Sequence, residues 1–115
     1  HTLCLKSYND YQYLDTDEIL YLKADNNATD FIMKDGNIVS AYKTLKSFEN
    51  RLPANFIRVH QSYILNTNFV SGINYGKSLC FLKVSKTKLP FTKTYKENIE
   101  GLKKILSKNT ISPSK

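Results

Sequence analysis

The sequence predicts a mainly β domain of short strands, with one scaffold helix near the middle and a second helix towards the C-terminus. Three observations carry this. Eight Tyr and six Phe with no Trp favour strands, because aromatic rings suit a pleated, half-buried surface. Short apolar or alternating runs separated by turn residues fill most of the chain. Helical spacing of apolar residues occurs in two places only, around residues 44–53 and 92–106.

The elements follow in order. Residues 2–6 form a short apolar run, and residues 11–15 alternate loosely, with Tyr8-Asn9-Asp10 as the turn between them. Asp17-Glu18 opens the apolar run Ile19-Leu20-Tyr21-Leu22. Asp25-Asn26-Asn27 is turn chemistry, since these side chains bond their own backbone. Residues 31–33 resume a strand, Asp35-Gly36 is a strong hairpin signal, and residues 37–41 return. Leu45, Phe48 and Leu52 fall on one face of a helix that Pro53 stops. Residues 56–66 are dense and irregular. Residues 69–75 and 79–84 read as strands joined by Gly76-Lys77-Ser78, and Lys86-Thr87-Lys88 as a basic turn or strand edge. From Thr92, a candidate N-cap, Tyr95, Ile99, Leu102 and Leu106 line one helical face. Residues 1–107 are expected to form one domain and residues 108–115, polar with Pro113, a frayed tail.

Charge narrows the function. Residues 1–40 hold three Lys and seven Asp or Glu, while residues 41–115 hold fourteen Lys or Arg and three Glu. A basic half on an acidic half suits a protein with one side facing a polyanion. Cys4 and Cys80 sit in apolar strand-like runs, which predicts two buried thiols in a reducing compartment rather than a disulfide. No apolar run approaches the roughly 20 residues that span a bilayer, and no signal peptide is visible. The chain begins at His1 rather than Met, so it is expected to be a piece of a longer protein.

Catalytic chemistry is sparse. His60 and Ser62 would share a face of a strand, but a Ser–His dyad there lacks a nearby carboxylate to orient it. Two His and two Cys without short spacing argue against a zinc site. Four scattered Gly form no phosphate loop. Asn27-Ala28-Thr29 matches a glycosylation sequon that has no secretory context. The expectation is a protein that is no enzyme and carries no metal or cofactor.

At Phe56-Ile57-Arg58-Val59-His60-Gln61-Ser62-Tyr63-Ile64-Leu65-Asn66 the chain resembles the signature of the LytTR family of bacterial response regulators. Residues 19–24 resemble that family's early strand. Thr44-Leu45 through Leu52-Pro53 resembles its helix, and residues 89–95 its late segment, so the likeness covers about residues 2–106. The resemblance implies short strands in stacked small antiparallel sheets. It also implies a cytoplasmic effector domain of a two-component transcriptional regulator, following a receiver or membrane module, with no membrane contact of its own. Such a domain binds double-stranded promoter DNA in pairs at short repeats, with loops rather than a helix in adjacent major grooves.

Position by position, the resemblance places the first reading position at Thr29; Asp30 would repel phosphates, so the loop is expected to approach with Thr29 forward and Asp30 turned away. It places the second at Gln61, with Ser62 beside it for phosphate, and the third at Lys93 and Thr94. A His and an Arg seen in some members are replaced by Thr29 and Thr94, which bears on the target sequence. Gln can read adenine bidentately. Arg58 is a phosphate or scaffold residue, His60 a structural residue or a DNA contact, and Lys86 and Lys88 are further phosphate contacts. The alternatives are a protein-interaction module with a basic β surface and an RNA-binding domain. RNA readers expose aromatics for stacking, whereas most Tyr and Phe here fall in runs that predict core positions.

Overall fold

A computed structural model describes residues 1–113; the expected tail falls partly outside them, at residues 114 and 115. Strands β1 (Thr2–Ser7) and β2 (Asp10–Asp15) form an antiparallel hairpin with Thr2 opposite Asp15 and Ser7 opposite Asp10. Its two-residue turn places Tyr8 at φ 35°. The buried Thr16 hydroxyl donates to the His1 carbonyl at 3.0 Å, which closes the hairpin base. A 3-10 turn, Thr16–Glu18, then leads into β3 (Ile19–Asp25), β4 (Ala28–Met33) and β5 (Ile38–Ala41).

Turn residues act where their chemistry predicts. Gly36 takes φ 93°, open to glycine at little cost, and the Asp35 carboxylate accepts the Asn37 N–H at 2.9 Å. Asn26 takes φ 56° in the β3–β4 turn, a region Asn tolerates.

The expected scaffold helix is a single turn, α1 (Leu45–Phe48). Leu45 and Phe48 are buried as the spacing predicts, but Leu52 lies beyond the helix. The bonds Glu49 N–H to Lys46 O and Arg51 N–H to Phe48 O are of the tighter i to i−3 kind, so the ladder does not propagate.

Residues 56–66 form a hairpin, β6 (Phe56–His60) and β7 (Tyr63–Asn66). The turn between them has no Gly or Pro. The His60 ring supplies its closure, with Nδ1 accepting the Ser62 N–H at 2.9 Å. Strand β7 pairs with β3, giving a five-stranded antiparallel sheet in the order β5-β4-β3-β7-β6. A 3-10 turn, Thr67–Phe69, leads to β8 (Val70–Asn74), β9 (Leu79–Leu82) and β10 (Lys88–Pro90), a sheet in the order β10-β9-β8. A 3-10 turn, Lys93–Tyr95, precedes α2 (Lys96–Leu106). Thr92 makes no side-chain cap bond there; its carbonyl accepts the Tyr95 N–H at 3.0 Å.

The central sheet buries both faces. Ile64 belongs to a core with Leu3, Leu14, Leu22, Phe31 and Phe48, beneath the β1–β2 hairpin and α1. Its neighbour Leu65 belongs to the opposite core with Val59, Cys80, Leu89, Ile99 and Leu102, beneath the small sheet and α2. This is the period-2 alternation of a strand covered on both sides. On α2 the buried residues are Ile99 and Leu102, while Leu106 is exposed.

Two expectations about burial need correction. Cys4 is exposed, because Leu3 points inward and its strand neighbour must point out. Tyr8, Tyr11, Tyr13, Tyr42 and Tyr75 are exposed rather than core. Both cysteines are free, and burial pushes the Cys80 thiol up to about 11. A disulfide-exchange reagent at pH 8 is therefore expected to titrate one thiol in the native protein, that of Cys4, and the second only in denaturant. Two fast equivalents in the native protein would contradict the burial of Cys80.

Candidate nucleic-acid interface

Three connections meet at one end of the five-stranded sheet. Strands β3 and β7 are antiparallel, with Lys23 opposite Tyr63, and the Ala24 N–H donates to the Ser62 carbonyl at 2.9 Å. The β3–β4 turn at Asn26-Asn27 and the β6–β7 turn at Gln61-Ser62 therefore lie side by side. The third connection arrives at the outer edge of β6. The Thr92 N–H donates to the Val59 carbonyl at 3.0 Å, so Lys93 and Thr94 leave the edge beside His60. Gln61, Lys93 and Thr94 are exposed there, and His60 and Ser62 are half-buried.

The Gln61 turn is held by side chains as well as by its ladder. Arg58 Nε donates to the His60 carbonyl at 2.8 Å, and a second guanidinium nitrogen donates to the Gln61 carbonyl at 2.6 Å. A third nitrogen pairs with the Glu49 carboxylate, and the guanidinium lies 5.5 Å from the centroid of the Tyr95 ring. The Arg58 carbonyl in turn accepts the Asn98 amide at 2.8 Å. The planar fork of arginine suits this several-point grip. With its side chain only 10% exposed, Arg58 holds the turn and has little surface left for phosphate. Of the two expectations for Arg58, phosphate contact or scaffold residue, this geometry favours the scaffold.

His60 is also engaged. Its Nδ1 accepts the Ser62 backbone N–H, so the neutral ring carries its hydrogen on Nε2, and the ring packs 5.4 Å from that of Tyr63. The bond to Ser62 is from its backbone, not its hydroxyl, and the two residues flank a turn rather than share a strand face. That is not the geometry of a nucleophile and its base.

Thr29 departs from expectation. It is fully buried, and its hydroxyl donates to the Lys43 carbonyl at 2.8 Å. Asp30, its alternate on the strand, is the half-buried one and accepts the Ser40 hydroxyl at 2.6 Å. The expected orientation, Thr29 forward and Asp30 away, is reversed, and the side chains presented by this turn are Asn26 and Asn27.

Lys86 and Lys88 are exposed but lie elsewhere. The β9–β10 turn is tied by the Lys83 N–H to the Phe69 carbonyl at 2.7 Å, next to Asn66 and so at the end of the β6–β7 hairpin opposite Gln61. Lys23, by contrast, is exposed beside the Gln61 turn. Period-2 counting from buried Leu22 would have found it. Among the described residues Arg58–Glu49 is the one ion pair, so Lys23 and Lys93 present unpaired charge at this end. Among the same residues no group of three or more His, Cys, Asp or Glu is arranged to hold a metal ion. No described helix is long and apolar enough to cross a membrane.

The fold recurs in known proteins. A solved LytTr DNA-binding domain from Bacillus cereus superposes with a TM-score of 0.70 over 88% of this chain and 94% of its own, at 24% identity, which shows the shared fold. The sensory transduction protein LytT of Bacillus subtilis (strain 168) is 28% identical over 105 residues, covering 89% of this chain. The chain spans 43% of the length of LytT. The LytTr DNA-binding domain family matches residues 9–105, nearly the whole of the two-cored unit described above, and this chain belongs to that family.

Proposed function

We propose that this domain reads double-stranded promoter DNA in a sequence-specific way, as the cytoplasmic effector of a sensory transcriptional regulator that carries an input module such as a receiver. Two copies bind paired short repeats, and the domain carries out no catalysis. The observation that supports this best is the Gln61 turn: an exposed amide, able to donate and accept at once, on a backbone clamped by Arg58 and His60. A rigid support is what a base-reading side chain needs. Gln61 meets a base edge in the major groove. Lys93 meets a phosphate at the approach to α2, Thr94 and Ser62 assist on the backbone, and the Nε2 of His60 is a further donor. Lys23 and Asn26 are additions to the contact surface, and Thr29 acts from beneath it.

One titration series tests these roles. Gln61→Ala is expected to cost about 1–3 kcal/mol on the preferred duplex and to relax preference at one base pair. Lys93→Ala is expected to weaken preferred and scrambled duplexes equally, because a phosphate contact carries no sequence information. If roughly four to eight phosphates are neutralised, log affinity falls with log salt at a slope of about −4 to −7. A slope shallower than about −2, or reversed roles for the two variants, would overturn the assignment.

RNA binding is a second reading, favoured by the exposed Tyr11 and Tyr13 on the outer face of the β1–β2 hairpin. They would stack single-stranded bases. Competition by single-stranded RNA stronger than by duplex DNA would favour it.

A further inference from the structure

We propose that the cleft between β1, the end of β5 and α1 is a binding site for a small carboxylate with a compact apolar body. The cleft encloses about 220 Å³. At the ~30 Å³ a water occupies in the liquid, that is room for roughly seven waters, enough for an aromatic ring and a short chain. Leu3, Leu5, Ala41 and Phe48 form its apolar part, and Lys43 and Arg51 stand at its rim. No Asp or Glu lines it, and neither cation has an ion-pair partner among the described residues. Lys6 turns its ammonium to the outer face of the hairpin, 5.6 Å from the Tyr11 ring centroid, so its charge lies away from the recess.

Charge complementarity picks the occupant. An apolar floor with no headgroup partner would suit any hydrophobe, and unpaired cations alone would suit any anion. Their combination in one recess suits a molecule that carries both. A DNA phosphate has no apolar body to cover the Leu3 and Phe48 side, so the recess fits a small molecule better than a backbone track. Lys43 follows the end of β5, where Ala41 pairs with Thr29 beside the Asn26-Asn27 turn, so one rim of the recess borders the proposed DNA-reading end, while Arg51 stands on the α1 side.

The test uses the isotope-labelled 115-residue chain and three probes of one shape: 4-phenylbutyrate, its neutral amide 4-phenylbutyramide, and the cation 4-phenylbutylamine. The carboxylate is expected to shift backbone amides at residues 3–7 and 40–43 saturably. The amide analogue binds about tenfold more weakly and the amine not measurably, as one lost and one reversed charge interaction near two cations require. The double variant Lys43→Gln with Arg51→Gln weakens the carboxylate about tenfold and leaves the amide analogue unchanged. Should that variant melt early, the single variant Arg51→Gln repeats the comparison with a smaller expected loss. Equal binding of the three probes overturns the proposal, as do shifts scattered away from the cleft or indifference to the charge variants. A duplex that perturbs the same amides and displaces the carboxylate overturns it in favour of a DNA contact.

Discussion

Replacing Arg58 by Ala is expected to lower stability by about 2–4 kcal/mol, seen as a fall in melting temperature of roughly 8–15 °C. It is also expected to abolish most base preference in protein that remains folded. The side chain is nearly buried and joins three parts of the chain: the Glu49 segment, the His60 and Gln61 carbonyls, and the Tyr95 ring at the start of the last helix. Its loss removes the side-chain donor from two carbonyls and leaves Glu49 without its partner. Glu49 is about one-third exposed, so the ion pair itself adds little and the carbonyl grip dominates. Arg58→Lys keeps the charge but cannot hold two carbonyls and a carboxylate in one plane, so it is expected to recover only part of both losses. With duplex titrations run well below the melting temperature, affinity for the preferred site falls about tenfold, the worth of a bidentate base contact, while a scrambled duplex is unaffected. Equal weakening of both duplexes would show Arg58 acting on phosphate instead, contrary to its burial.

Asn66→Ala is expected to be as destabilising, about 2–4 kcal/mol, by chemical unfolding, yet to leave base preference intact in the folded fraction. Asn66 is fully buried. Its amide nitrogen donates to the Ile19 carbonyl at 2.9 Å, and its oxygen accepts from the Asn55 amide at 2.8 Å and the Asn68 N–H at 3.0 Å. One side chain thereby ties the start of β3, the end of β7 and the two flanking loops. A buried carbonyl left unmatched costs more than the bond contributed. Asn66→Asp keeps the acceptor, loses the donor and buries charge, so it rescues little. Since Asn66 lies at the end of the hairpin opposite Gln61, a change in base preference for either variant would mean that the two ends are more tightly coupled than the bonds between them imply. Arg58 and Asn66 thus separate by function although their expected effects on stability are alike.

Much of this was legible in the chain itself. Asp35-Gly36 specifies its hairpin because Gly36 is free to take positive φ. Leu45 and Phe48 mark the buried side of α1, and Ile99 and Leu102 that of α2, because helical spacing lines up one face. The residues around His60 and the late segment point to a family whose fold and DNA-binding role hold here. These are local properties, carried by residues within a few positions of one another.

Tertiary structure decided which of the named residues face outward and which of them meet. Thr29 is buried because the Lys43 carbonyl, fourteen residues on, takes its hydroxyl. Arg58 is occupied because Glu49 and Tyr95 converge on it. Lys93 comes beside His60 through one backbone bond across 33 positions, Thr92 to Val59, while Lys86 and Lys88, closer to His60 in sequence, end up at the far end of the hairpin. Alternation along a strand states that neighbours oppose each other but not which of the two faces a core. That choice is made when the central sheet is covered on both sides, by the β1–β2 hairpin with α1 and by the small sheet with α2. The burial of those two faces outweighs any local preference of a single side chain.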